Sequence, residues 1–210
     1  MAGNMELIAK RCFRFAMRVT DRFHIQKLAT EALQEVRIKY RWEALEAENT
    51  AIDKARKAKT SFQAEILPNG DTLKQLLARA RYVPYKKPDD WTENQKERAE
   101  LLFELYPALK QAFDLSIGLS NIFEKTQDKI YGLSRLAKWH EKVRKSEFKS
   151  FNTISRSIQR HYQTILNYFD NRATNASAES FNAKIKAFRS QFRGVRNIEF
   201  FLYRLTELYA

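Results

Sequence analysis

Residues 178–189 read Ala-Glu-Ser-Phe-Asn-Ala-Lys-Ile-Lys-Ala-Phe-Arg. A single carboxylate, Glu179, stands there in a row of amide and basic side chains. At about 100° per residue, Asn182, Lys186, Arg189 and Arg193 fall within roughly 80° of Glu179 on a helical wheel. Phe181, Ile185, Phe188 and Phe192 gather within roughly 60° of one another on the opposite side. One face therefore packs and the other presents polar groups. Lys184 on the same segment and Arg196 just beyond it add cations that can reach a phosphate backbone. A lone acid among cations fits a metal-and-phosphate site. It fits equally a solvated face on which Glu pairs with Lys or Arg, and the spacing leaves both readings open.

A second constellation lies near the other end, in Val19-Thr20-Asp21-Arg22-Phe23-His24-Ile25-Gln26-Lys27-Leu28. Asp21 and His24, three apart, share the first turn of a helix that follows a short apolar segment. An acid at such a junction can hold a metal or act on phosphate; it can also serve as an ordinary helix N-cap, with His24 a surface residue. A third group is purely basic. From Arg135 to Arg160 the chain carries Arg135, Lys138, Lys142, Arg144, Lys145, Lys149, Arg156 and Arg160 against Glu141 and Glu147. The formal net charge of the chain is +13. Such a balance favours a polyanionic partner, and this cluster is where phosphate contact is expected.

The elements that must position these residues are nearly all helical. Only 5 Gly and 4 Pro occur in 210 residues, of which 44% are hydrophobic, so long helices around a real core are expected. Phe15 to Thr20 is short, apolar and ends in β-branched residues, which predicts one buried strand. Met5 to Arg11 reads as a short helix, and Arg22 to about Lys59 as a long exposed one, with acids and bases alternating along its outer face, that could fold as a hairpin. Leu67-Pro68-Asn69-Gly70-Asp71 is a turn by composition. Thr72 to Arg81 is a short helix, and Tyr82 to Trp91 a loop. Thr92-Glu93-Asn94-Gln95 has capping-box form, and Pro107 breaks or kinks the helix it opens. Ala108 to Glu124, Asp128 to Lys145 and Phe148 to Phe169 are helical. Ser177 or Asn175 caps the Glu179 helix, Gly194 stops it, and Ile198 to Tyr209 forms a last helix that folds back.

The single Cys12 excludes an internal disulfide and fits a reducing compartment. His24, His140 and His161 are too widely spaced for a local zinc motif. No apolar run approaches the roughly 20 residues of a membrane span, and Met1 to Arg14 has no signal-peptide core. A soluble, cytoplasmic protein without a small-molecule substrate is expected.

Taken together, Asp-x-x-His after an apolar segment, a long helical stretch, and Glu-x-x-Asn-x-x-x-Lys on a helix resemble one family. Val19 to Leu28 and Asn175 to Leu205 are similar to the C-terminal part of a DDE-type insertion-sequence transposase, within the ISL-type group. The resemblance covers essentially the whole chain. It implies a mainly α fold: the C-terminal part of an RNase H-like α/β core, with one short strand at about 15–20, carrying a large all-helical insertion. The implied domains are 1–40 (partial core with the Asp-x-x-His signature), 41–170 (helical insertion) and 171–210 (C-terminal core helices). Glu179 matches the last acid of the catalytic Asp-Asp-Glu triad and hence a metal ligand. Asp21 and His24 match the signature before it. Asn182, Lys186 and Arg193 match polar positions that face DNA.

The implied activity is DNA transposition by phosphoryl transfer at transposon ends, using Mg²⁺ or Mn²⁺ in the complete enzyme. Upstream of Asp21 the only acid is Glu6, so the chain reads as amino-terminally truncated, lacking both triad aspartates. It is then expected to bind no catalytic metal tightly and to be inactive alone. The alternative is a non-catalytic basic DNA-binding module, or an inhibitor of full-length transposase. Expected partners are DNA, a second copy of the chain or full-length transposase, with a prokaryotic, nucleoid-associated location when DNA is bound.

Overall fold

The computed structural model describes residues 7, 11–172, 176–192, 194 and 196–209. Among these the elements are α1 (Arg22–Lys57), α2 (Leu73–Arg79), two 3₁₀ segments (Ala80–Tyr85 and Pro88–Asp90), α3 (Glu93–Leu105), α4 (Pro107–Lys125), α5 (Lys129–Ser146), α6 (Lys149–Arg160), α7 (Tyr162–Leu166), α8 (Tyr168–Asn171), α9 (Ala176–Gln191) and α10 (Ile198–Tyr209). The protein is mainly helical, as expected. The helix expected over Met5 to Arg11 falls largely outside the described residues, of which Leu7, Arg11 and Cys12 are helical. The chain divides into two compact units, 1–171 and 172–210.

Helix α1 is the spine of the first unit. Asp21 caps it: backbone at φ −64°, ψ 131° is extended, and the Asp21 carboxylate accepts from the Phe23 N–H at 2.8 Å. Ile25, Ala29, Ala32 and Leu33 recur at helical spacing and are buried, against α4 above all and also α2 and α6. The helix runs unbroken through 36 residues, with no hairpin, and ends among Lys54, Arg56 and Lys57, whose charges complement its dipole. Arg37 is buried within it. Its Nε donates to Gln34 Oε1 at 2.7 Å and its Nη1 to the Leu77 carbonyl, tying α1 to the end of α2. Burial, followed by the nearby Arg41, lowers the Arg37 pKa from its ordinary value.

The capping box read at Thr92 is present, and the structure adds a second one at Thr72. The Gln75 side chain accepts from the Thr72 N–H and that of Gln95 from the Thr92 N–H. Pro107 does break the chain: α3 stops at Leu105, and Pro107 opens α4 at a position where its missing N–H costs nothing. Asp128 caps α5 through the N–H groups of Ile130 and Tyr131. The turn at 67–71 is fastened by a buried carboxylate, Asp71, which accepts from Arg98 Nε at 2.9 Å, from Asn69 Nδ2 at 3.1 Å and from Arg79 Nη1. The core around α4 is aromatic. Trp91, Phe103 and Phe113 form one cluster, and Phe123 stacks on Phe169 with centroids 5.7 Å apart.

Two expectations need correction. Residues 15–20 are not a strand, and no strand occurs among the described residues. Phe15 is fully exposed and Met17 half-exposed. The segment finds no second strand to complete a ladder, so its polar groups turn to helix α7. The Thr20 N–H donates to the Thr164 carbonyl at 2.8 Å, the two threonine hydroxyls meet at 2.7 Å, and Asn167 Nδ2 donates to the Arg18 carbonyl at 2.9 Å. The second correction follows from the same contact. Phe148 to Phe169 is three short helices, interrupted at His161 and Asn167. Those breaks leave the Thr164 carbonyl available to Thr20.

Candidate functional site

In the second unit, Glu179 lies in the first turn of α9 and is exposed. A carboxylate there is favoured by the helix dipole. Its neighbours three and four residues on are Asn182 and Ala183, which supply no cation, and no described residue forms an ion pair with it. The simple salt-bridged surface acid is therefore not what is seen. Asn182, Lys186 and Arg189 are exposed, as is Lys184 on another side of the helix, and Arg196 is exposed beyond it. The opposite stripe packs only in its later half. Phe188 is buried, 4.5 Å from Phe192 and 5.3 Å from Phe201 of α10 between ring centroids, and this aromatic contact folds α10 back on α9. Phe181 stays about half exposed. Gly194, at φ +95°, takes the backbone conformation expected of it. Arg193 and the cap position Asn175 lie outside the described residues, as does the Ser177 side chain.

In the first unit, Asp21 and His24 do share one turn, but differently from a paired site. Asp21 is buried beneath the helix start, while His24 is exposed. The Asp21 side chain acts as the N-cap. Among the described residues no group of three or more His, Cys, Asp or Glu side chains is placed to hold a metal ion. Mg²⁺ takes near-octahedral oxygen coordination, which Glu179 alone does not supply.

The basic cluster from Arg135 to Arg160 is divided by the fold into two surfaces. Arg135, Lys138, Lys142 and Lys145 recur at i, i+3, i+7 and i+10 on α5 and line one wall of a cleft of about 460 Å³. The floor comes from Leu115, Gly118 and Ile122 of α4, with Trp139 of α5, whose indole N–H is held by the Leu115 carbonyl at 2.8 Å. These four cations are not equivalent. Arg135 donates to the Lys125 carbonyl and to Thr126 Oγ1 at 2.9 Å, and Lys145 is 3.1 Å from Glu141. The hydrogen bond to Lys145 holds the Glu141 carboxyl below its ordinary pKa. Lys138 and Lys142 have no ion-pair partner among the described residues. The only acid on the cleft, Asp114, is held by Lys110 at 2.7 Å.

The second surface is a ridge on α6. Lys149, Thr153, Arg156 and Arg160 stand at i, i+4, i+7 and i+11 and are exposed. Behind them Phe151, Ile154 and Ile158 are buried. No Asp or Glu occurs between Glu147 and Asp170, so the ridge is not neutralised along its own helix. His140 pins α5 to α6 through Ser155 Oγ on Nδ1 and Gln159 Nε2 on Nε2. The helical spacing of both cation sets is visible in the sequence. The apolar floor is not, because α4 supplies it from some twenty residues upstream, as a distance of roughly that many positions separates Gly118 from Lys138. No helix among the described residues is long and apolar enough to cross a membrane.

Comparison with known proteins adds a family. The model of the ISL3-type DDE transposases, described as "Transposase", matches residues 1–205. The transposase for insertion sequence element IS1557 of Mycobacterium tuberculosis, from strains CDC 1551 / Oshkosh and ATCC 25618 / H37Rv, is 27% identical over 182 residues, covering 86% of this chain. The chain spans about 40% of the length of those curated relatives. No solved structure matches it.

Proposed function

This chain belongs to the ISL3-type DDE transposase family, and from that premise we propose that it serves DNA transposition by binding the DNA at transposon ends. The single observation that carries this reading is the pair of exposed cation surfaces, on α5 and α6, in a chain of net charge +13. Contacts of that kind are made to the phosphate backbone and release counterions, so they bind DNA without regard to sequence. Lys184, Lys186, Arg189, Arg193 and Arg196, with Asn182, would extend the contact along the Glu179 helix. In this reading α9 and α10 and the segment around Asp21 and His24 belong to an RNase H-like core, and the helices between are its insertion.

The family uses divalent metal ions. Within these residues Glu179 is the triad acid and the metal-ligand candidate, with Asp21 and His24 as signature positions rather than ligands. One carboxylate does not hold two ions, and no described group completes such a site. We therefore assign the polypeptide of these 210 residues DNA binding without strand cleavage. The second reading, a non-catalytic module that inhibits full-length transposase, shares that property and differs in adding a protein partner.

The test is a titration of the protein against transposon-end DNA, with cleavage followed in Mg²⁺ and in Mn²⁺. Binding is expected to weaken steeply between about 50 and 200 mM salt, with no strand cut. Cleavage that Glu179→Gln abolishes would overturn the non-cleaving assignment. Absence of salt-sensitive binding would overturn the DNA reading. Inhibition is tested by adding the protein to an active transposase, with loss of inhibition expected when excess DNA is supplied.

A further inference from the structure

The cleft between α4 and α5 combines features that backbone contact alone does not require. We propose that it takes an unpaired DNA strand, phosphates on the lysine wall and a base or sugar on the apolar floor. The proposal rests on the DNA reading above and concerns which form of DNA this one surface accepts.

The first argument is size. The cleft measures about 460 Å³, within the range of roughly 300–1,000 Å³ found for sites that enclose a small organic group. It lies between two helices in direct contact. A groove of that volume admits a single nucleotide unit, whereas the major groove alone of a duplex is about 12 Å wide. A duplex can lie over the cleft but cannot enter it, while a single strand can.

The second argument is chemical. A surface that only meets phosphates needs cations. This one is also floored by Leu115, Ile122 and Trp139, which are largely buried, with Lys138 and Lys142 among the residues that line it. Basic grooves with an apolar or aromatic floor are the arrangement that holds single-stranded nucleic acid. Gly118 sets the depth of the floor. A Cβ built there meets only Trp139 Cδ1, at 3.8 Å, so the space above Gly118 is open toward the cleft. The third argument is charge: Lys138 and Lys142 have no ion-pair partner among the described residues, and the acids nearby, Asp114 and Glu141, are held by Lys110 and Lys145. The α6 ridge differs in its chemistry: Phe151, Ile154 and Ile158 are buried behind its exposed cations, so it offers charge alone and suits the outside of a duplex.

The experiment measures binding of the full chain to a fluorescent oligothymidine and to a duplex of the same length, in wild type, Gly118→Leu and Lys138→Gln/Lys142→Gln. Gly118→Leu fills the floor without changing charge. It is expected to weaken the single strand about tenfold, the scale of losing one base contact, and to leave the duplex within about twofold. The lysine pair is expected to reduce the salt slope for the single strand by about 1.4, two contacts at about 0.7 each. If Gly118→Leu does not fold by circular dichroism, the lysine pair decides, since it leaves the helices and floor intact. Equal losses on both DNA forms, or no loss on the single strand, overturn the proposal while leaving DNA binding in place. Equal displacement of the oligonucleotide by a polyglutamate peptide of the same charge also overturns it, in favour of simple anion attraction. Failure of wild type to bind either DNA overturns the functional reading itself.

Discussion

Glu141 shows how one side chain sets the strength of a surface. It occupies Lys145, so the α5 wall acts at neutral pH with fewer free cations than its sequence suggests. Glu141→Gln is expected to strengthen single-strand binding and to steepen its salt dependence by about 0.7, one phosphate contact, measured by fluorescence anisotropy across a salt series. The pH dependence has a definite sign. A carboxyl whose folded pKa is lowered stabilises the fold above the ordinary carboxylate pKa of about 4.3, and that contribution is lost as pH falls through the lowered value. The pair therefore persists between about pH 5 and 8, and the gain from Glu141→Gln should be flat over that window. Asp71 acts differently, through burial. Asp71→Ala leaves Arg79 and Arg98 facing an empty site. Both guanidinium groups keep some solvent access, so the expected loss is about 2 kcal/mol rather than the 3–5 of a fully buried pair, read from urea unfolding.

At the scale of elements, two glycines on adjacent helices make opposite predictions. A Cβ on Gly132 of α5 would come within 2.7 Å of the Phe169 ring, which is itself stacked on Phe123. Gly132→Ala is expected to destabilise by about 1–3 kcal/mol through overpacking. Gly118→Ala meets only an ordinary contact at 3.8 Å and removes a flexible residue from the interior of α4, so it should stabilise by up to about 1 kcal/mol. Thermal unfolding of the two variants side by side gives the comparison. The same scale explains where sequence reading succeeded. Thr92 and Pro107 act within four residues of where they stand, so that cap and that break were legible; the caps at Thr72 and Asp128 are equally local but read only as helix starts. The segment 15–20 failed because β-branched, apolar residues specify an extended backbone but not its partner, and here the partner is the turn around Thr164.

For the whole molecule, the separation of the basic cluster into cleft and ridge predicts that its parts are separable in function. Lys149→Ala/Arg156→Ala/Arg160→Ala removes the α6 ridge and is expected to lower the duplex salt slope by about 2.7, three contacts at about 0.9. Single-strand binding at the α4–α5 cleft should change much less. An unchanged duplex slope would remove the ridge from the DNA-binding surface. The first unit carries its own aromatic core and the whole of both surfaces, so these effects can be measured independently of changes on the Glu179 helix.

What the sequence determined by itself is what depends on short range and on counting: mainly helical structure, the long capped α1, the breaks at Pro107 and Gly194, a net charge of +13, and a resemblance to the family. The cluster from Arg135 to Arg160 reads as one in the sequence, although Arg135, Lys138, Lys142 and Lys145 stand at helical spacing. The i,i+4 spacing of Glu141 and Lys145 is local as well. Only the tertiary structure decided that this row faces the apolar floor of α4, that the Thr126 region holds Arg135, and that Arg156 and Arg160 stand on a different surface. Those outcomes depend on which helix packs against which, and that is set by long-range burial around α4, which no local spacing encodes.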